Sequence, residues 1–133
     1  MVNEITLTLP IRTVSEANIS EHWSKRAKRR RQQAFLVRHA FSKLTQPITL
    51  PCEITLTRLS PRLLDQQDNL PMSFKSIVDQ LSECLIPEKA GHYITKDGAR
   101  RAIRGRADDD NRLTWEFSQE KSKIAAIRIE MRF

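Results

Sequence analysis

Alternating hydrophobic and polar residues predict four short β-strands. Ile5, Leu7 and Leu9 alternate with threonines until Pro10 ends the pattern. The same period of two recurs in the segments 52–58, 113–117 and 127–131. The last two segments are close together in the chain, so we expect them to form a β-hairpin.

Two other segments carry their apolar residues at helical spacing. The first predicts a long amphipathic helix within 20–47, with its arginines on the face toward solvent. The second predicts a helix over 68–85, which accommodates Pro71 in its first turn. Between the second predicted helix and the last two strands, residues 86–106 show neither periodicity. Their glycines and basic residues predict a loop with room for one helical turn.

The order β-α-β-α-loop-β-β predicts an α+β fold, in which two main helices pack on a mixed β-sheet. The length of 133 residues predicts a single domain over 1–133. A hydrophobic content of 39%, with only three glycines and six prolines, favours a globular chain over a disordered one. Cys52 and Cys84 lack C-x-x-C spacing, so we expect reduced thiols in the core.

No apolar run approaches the roughly 20 residues that span a bilayer. Glu4 stands where a signal peptide carries positive charge. We therefore expect a cytoplasmic protein with no membrane partner.

The charge is concentrated in the first predicted helix. The chain has 23 basic and 16 acidic residues, a net charge of +7. The segment 20–44 holds eight of the basic residues and one acid, Glu21. A helix face with so little compensating acid predicts contact with phosphates, although a solvated face is the alternative. The central residues of this face are Lys25, Arg26, Lys28, Arg29, Arg30 and Arg31.

Acidic residues form two groups that are able to hold a cation. Asp68, Lys75 and Asp79 share one face of the second predicted helix, away from its apolar side. The residues 108–110 are three adjacent aspartates before a strand, and their mutual repulsion calls for a positive partner. Mg²⁺ prefers oxygen ligands, so a magnesium site would follow if Asp68 and Asp110 meet at one end of the sheet.

Each acidic group also has a simpler interpretation. Lys75 and Asp79 would form an ordinary i,i+4 surface pair, worth about 0.3 kcal/mol. The aspartates at 108–110 would form a solvated turn paired with the arginines of 100–106.

Several motifs follow one another in a set order along the chain. They are upstream Asn18, His22-Trp23 and the basic helix, then Asp65-Gln66-Gln67-Asp68-Asn69-Leu70, Lys75, Asp79, Asp109-Asp110, and the strand Leu113 to Phe117 with Gln119. This ordered set resembles the RusA family of Holliday junction resolvases, especially its phage and prophage members. The resemblance implies a homodimeric endonuclease of recombination and repair that nicks four-way DNA junctions symmetrically. It also implies dependence on Mg²⁺, for which Mn²⁺ can substitute.

The resemblance further implies roles for individual residues. Asp68 and Asp110 match the family's metal-binding aspartates and Lys75 its essential lysine, so these three are the expected catalytic residues. Gln66 stands where the family usually has a further acid, so Asp65 and Asp109 are expected to complete the metal ligands. Supporting positions around that site are Asp79 and Asn69. The basic helix would hold the junction arms together with Arg100, Arg101 and Arg104.

Two other functions stay open. A non-enzymatic basic DNA-binding protein, an inactive relative, would use its acids only to balance charge and would never nick the DNA. An RNA-binding protein is less favoured, because aromatic residues are 6% of the chain and most of them lie at predicted core positions.

Overall fold

The computed structural model describes residues 2–14, 20–67, 69–89, 92–94, 96–98, 100–102 and 107–133, with the backbone alone at 92–94 and 100–102. Its strands are β1 (Glu4–Leu9), β2 (Cys52–Ser60), β3 (His92–Ile94), β4 (Arg100–Ala102), β5 (Leu113–Lys121) and β6 (Ala126–Arg132). Its α-helices are α1 (Trp23–Ser42), α2 (Asn69–Ser73) and α3 (Lys75–Leu85), and short 3₁₀ turns occur at Pro87–Lys89 and Ala107–Asp109.

The main sheet is mixed and has the strand order β1-β6-β2-β5. β6 is antiparallel to both β1 and β2, whereas β5 is parallel to β2. This arrangement confirms the predicted α+β fold with helices and one mixed sheet. The predicted hairpin of the last two strands is wrong, because β2 lies between β5 and β6. β2 has a hydrogen-bonded neighbour on each edge, and its side chains are buried on both faces, with Leu56 0% and Thr57 2% exposed.

One face of the main sheet carries the hydrophobic core. Leu56 pairs with Ile129 on one side and with Phe117 on the other, and all three side chains project to the same face. The buried Phe74 stacks on Phe117 with ring centroids 5.4 Å apart, which fixes the helical segment α2–α3 on this face. The opposite face is polar, and on it Arg128 bridges two glutamates, Glu120 and Glu130.

The predicted second helix is in fact two helices. α2 ends at Ser73, and Phe74 has backbone angles of φ −96° and ψ 1° before α3 begins at Lys75. A single continuous helix over 68–85 is therefore wrong. The region 86–106, predicted as a loop with one helical turn, contains the 3₁₀ turn Pro87–Lys89 and a short antiparallel pair, β3 with β4, that the sequence pattern did not predict.

Only part of the predicted apolar side of α1 is buried. Val37 is buried, but Trp23, which the helical spacing assigned to that side, is 74% exposed. Phe35 lies outside that spacing and is 57% exposed. The cysteine prediction holds for the thiols, which are both free, with Cys52 buried and Cys84 half-buried. Within the described residues, no helix combines the length and the hydrophobicity that crossing a bilayer requires.

Candidate functional site

The basic face of α1 is largely exposed to solvent. Lys25, Lys28, Arg30 and Arg31 are exposed, whereas Arg26 and Arg29 are half-buried. Arg29 donates two hydrogen bonds to the carboxylate of Glu21, at 2.5 and 3.2 Å. The hydrogen bond from Arg29 lowers the pKa of Glu21. Glu21, the one acidic residue of the segment 20–44, is therefore already paired with Arg29. The outer residues of this face present their charge to solvent.

The start of α1 places positive charge where a helix usually has negative charge. His22 is the N-cap, and its Nδ1 accepts a hydrogen bond from the backbone N–H of Ser24 at 3.2 Å. The first turn has no acidic residue, although the helix dipole favours anions there. The dipole and the side chains of Lys25 and Lys28 therefore add to one positive potential, which favours an anionic partner.

A cleft runs between this helix and the segment that follows β1. Its volume is about 420 Å³, and its cationic lining residues are Arg12, Lys25, Lys28 and Arg29. Arg12, Lys25 and Lys28 have no ion-pair partner in the part of the chain that the structure describes. The cleft therefore presents unneutralised positive charge to solvent.

The predicted pair on α3 forms as the simpler interpretation expects. Lys75 Nζ lies 3.3 Å from Asp79 Oδ1, and the two side chains are 41% and 43% exposed. Asp79 also lines a cleft of about 270 Å³ between α3 and α1, opposite Arg30 and Arg31. Asp79 therefore contacts Lys75 and shares a cleft with two cations of the basic helix.

Asp65 holds the start of α2. Its carboxylate accepts hydrogen bonds from the backbone N–H groups of Gln67 and Asn69, at 3.3 and 3.4 Å. Its carbonyl accepts one from Leu70 at 2.9 Å. Asp65 is exposed and Asn69 half-buried, so the Asp65 carboxylate combines a capping contact with access to solvent.

Asp110 is enclosed by cations. Arg112 donates to its Oδ1 through the backbone N–H and Nε, at 2.9 and 3.0 Å, and to Oδ2 through Nη2 at 3.0 Å. Lys89 Nζ lies 2.9 Å from the same Oδ2. The hydrogen bonds from Arg112, and then that from Lys89, hold the pKa of Asp110 well below its usual range. A carboxylate has about four lone-pair sites, so these contacts use its accepting capacity.

The described acids do not form one cluster. The turn Ala107–Asp109 packs against α3, but Asp110 lies by Lys89, beyond the C-terminal end of that helix. Lys75 is at the N-terminal end of α3, about 15 Å along the helix axis from its C-terminal end at Leu85. Asp65 follows Leu64, which is bonded to Gln119, far along β5 from Asp110. Within the described residues, no three His, Cys, Asp or Glu side chains come close enough to hold a metal ion.

Several predicted residues lie outside this description. Asp68, Asn18 and Arg104 lie outside the described residues, and Arg100 and Arg101 belong to β4, for which only the backbone is described. Asp108 is half-buried and Asp109 exposed, in the turn before Asp110. The roles predicted for these residues stay predictions.

Sequence reasoning missed a second group of cations. Arg12, Arg58, Arg62 and Lys123 line one cleft at the C-terminal end of β2. A signal was present, because Arg58 occupies an inward position in the alternating pattern of that strand. The sequence singled out Trp23 as part of a motif but not its exposure. Its aromatic ring is exposed at the start of the basic helix, where it is able to stack on a nucleic-acid base.

In comparisons with known proteins, no protein-family model and no curated protein matches the chain. The resemblance to RusA resolvases therefore depends on the ordered motifs alone.

Proposed function

We propose that this chain is a homodimeric, magnesium-dependent endodeoxyribonuclease of the cytoplasm that resolves four-way DNA junctions. The observation that carries the DNA-binding part is the cationic cleft beside α1, where three lysine and arginine side chains have no ion-pair partner among the described residues. Phosphate groups are the chemical complement of such a surface. The cleavage part is supported by the order and identity of the motifs.

The described acidic residues alone do not fit a magnesium ion. The Asp110 carboxylate is saturated by Arg112 and Lys89, and no three possible ligands among the described residues come close together, Asp65 included. Mg²⁺ requires oxygen ligands with free lone pairs in a nearly octahedral arrangement. Metal dependence is therefore proposed from the resemblance, with Asp68 as the expected main ligand.

A specific observation favours a second candidate, a DNA-binding protein without nuclease activity. If Asp110 keeps its two cationic partners in solution, its role is to stabilise the start of β5 and not to bind metal. The basic clefts would still hold DNA. The two candidates therefore share a binding surface and differ only in whether the bound DNA is cut.

A synthetic four-way junction distinguishes them. Under the nuclease proposal, Mg²⁺ is required for paired nicks in opposed strands, and a linear duplex of the same sequence stays intact. Asp68→Asn is expected to abolish cleavage and to leave junction binding intact or tighter, because it removes a negative charge. The matched control is Glu116→Gln, on the exposed polar face of β5. Binding without nicking at any magnesium concentration would leave the DNA-binding protein as the function.

A further inference from the structure

A second cationic cleft lies where β2 ends. Its volume is about 730 Å³, and four of its lining residues are the basic ones Arg12, Arg58, Arg62 and Lys123. Its described lining contains no carboxylate. A concave surface of one charge sign focuses the electrostatic potential and concentrates ions of the opposite sign. The chemistry of this cleft is therefore suited to an anion.

Arg58 is the unusual member of this group, because its side chain is buried. The residue is 7% exposed, at the end of a strand whose other inward positions are apolar or small. Its Nε donates to the hydroxyl of Thr13 at 3.1 Å, and its Nη1 and Nη2 donate to the carbonyls of Arg62 and Thr13, at 2.7 and 3.4 Å. All three acceptors are neutral.

These contacts leave the charge of Arg58 uncompensated in the described part of the chain. A guanidinium has five N–H groups, and three bonds leave two of them without a described acceptor. Burial lowers the pKa of Arg58, and the nearby charge of Arg12 lowers it further. Buried charges are normally paired, so this position favours an anion as the missing partner.

The other cations of the cleft are free to reach the same anion. Arg12, Arg62 and Lys123 are exposed, and none has an ion-pair partner among the described residues. Lys123 also lines a smaller adjoining cleft with Lys121. Several basic side chains therefore surround a single buried guanidinium.

We propose that this cleft is a phosphate-binding site, in which Arg58, Arg12, Arg62 and Lys123 hold one phosphate group of a DNA strand. A guanidinium matches the geometry of phosphate oxygens, and exposed lysine and arginine add charge. Arg12 lines this cleft and also the one beside α1, so a single residue links the two cationic surfaces. The choice of DNA as the source of the phosphate depends on the proposed function; the phosphate site itself does not.

The first experiment measures phosphate binding without DNA or metal. Inorganic phosphate is compared with chloride at matched ionic strength, and Tm is recorded for the wild type. At ten times its dissociation constant, phosphate is expected to raise Tm by about 5 °C. Arg58→Lys keeps the charge but removes the fork, and is expected to lose most of this shift. Because a change at a buried position can impair folding, the exposed double variant Arg62→Gln/Lys123→Gln tests the same site.

The second experiment measures binding of a fluorescent four-way junction by anisotropy in EDTA. The double variant Arg62→Gln/Lys123→Gln is expected to bind at least ~10-fold more weakly at about 0.1 M salt, since it removes two of the four cations that hold the phosphate. The matched control is Lys43→Gln/Arg132→Gln, which removes the same charge from exposed positions elsewhere and is expected to change the affinity less than about twofold.

The outcomes separate the site from its ligand and from the nuclease proposal. Loss of both the phosphate shift and the DNA affinity supports the proposal in full. Loss of the shift with control-like DNA affinity supports the phosphate site but overturns DNA as its source. A wild type with no phosphate shift, and a variant that binds DNA like the control, overturn the proposal. Failure to cut DNA in Mg²⁺ would count against the nuclease without changing any of these metal-free results.

Discussion

Neutralising the α1 side of the first cationic cleft is expected to reduce the salt dependence of DNA binding by a calculable amount. The change is Lys25→Gln/Lys28→Gln, at two exposed residues without a described ion-pair partner. Each neutralised phosphate of duplex DNA contributes about 0.9 to the slope of log K against log salt concentration, so two lost contacts reduce the slope by about 1.8. Between about 50 and about 200 mM salt, the affinity difference between wild type and variant is then expected to shrink about 12-fold.

The assay is fluorescence anisotropy of a labelled junction in EDTA across this range of salt. Lys43→Gln/Arg132→Gln carries the same change in net charge and is expected to keep the wild-type slope. Arg29→Gln is expected to reduce the slope less than a single lysine change, because Arg29 is already paired with Glu21. If the wild type and Lys25→Gln/Lys28→Gln have the same slope of log K against log salt concentration, phosphate contact by this face is refuted, whatever the absolute affinities.

Three further predictions concern the fold. Phe74→Ala is expected to lower the free energy of unfolding, measured by urea denaturation, by about 3–5 kcal/mol, because it empties a fully buried position. Phe35→Ala, on the exposed face of α1, should change it by less than ~0.5 kcal/mol. Equal effects of the two changes would contradict the packing described. The lowered pKa of Asp110 means that its ion pairs stabilise the fold above pH ~4 and are lost as the pH falls below that value. Asp110→Asn should therefore have a lower free energy of unfolding than the wild type at neutral pH and approach the wild-type value in acid. A difference that does not change with pH would be inconsistent with this. Burial raises the pKa of the Cys52 thiol to about 11, so a thiol reagent at pH 8 should label the half-buried Cys84 first in the native protein and Cys52 only on unfolding, as peptide mapping would show.

Most elements were predictable from the sequence, because their signals are local. The alternation in β1, β2, β5 and β6 and the helical spacing in α1 are properties of short segments. The pairing of β5 with β2 was not predictable in this way. β5 and β6 lie on either side of β2, and strands two positions apart in a sheet are about 9.6 Å apart. The four connecting residues 122–125 reach about 13 Å when extended. They are therefore long enough either to form a hairpin or to cross over the end of β2.

The candidate site was less predictable, because charge partners are chosen by tertiary structure. The need of Asp110 for a cation was correctly anticipated, but its described partners are Lys89 and Arg112 instead of the arginines of 100–106. Arg112 is two residues away in the chain, and Lys89 is brought close only by the packing of the 3₁₀ turn after α3. For Arg58, the sequence shows an inward position in the alternating pattern of β2. Its burial without a described counter-ion could be seen only in the folded structure.

The loop before α2 also protects an edge of the sheet. β5 is the outermost strand on its side, and an outermost strand offers unpaired backbone groups to which another chain can add. Gln119 on this strand donates to and accepts from the backbone of Leu64, at 2.7 and 2.8 Å, and Gln66 donates to the carbonyl of Phe117 at 3.4 Å. Side-chain amides thus occupy the groove where a foreign strand would dock. Replacing both glutamines would expose that edge and favour aggregation by strand addition.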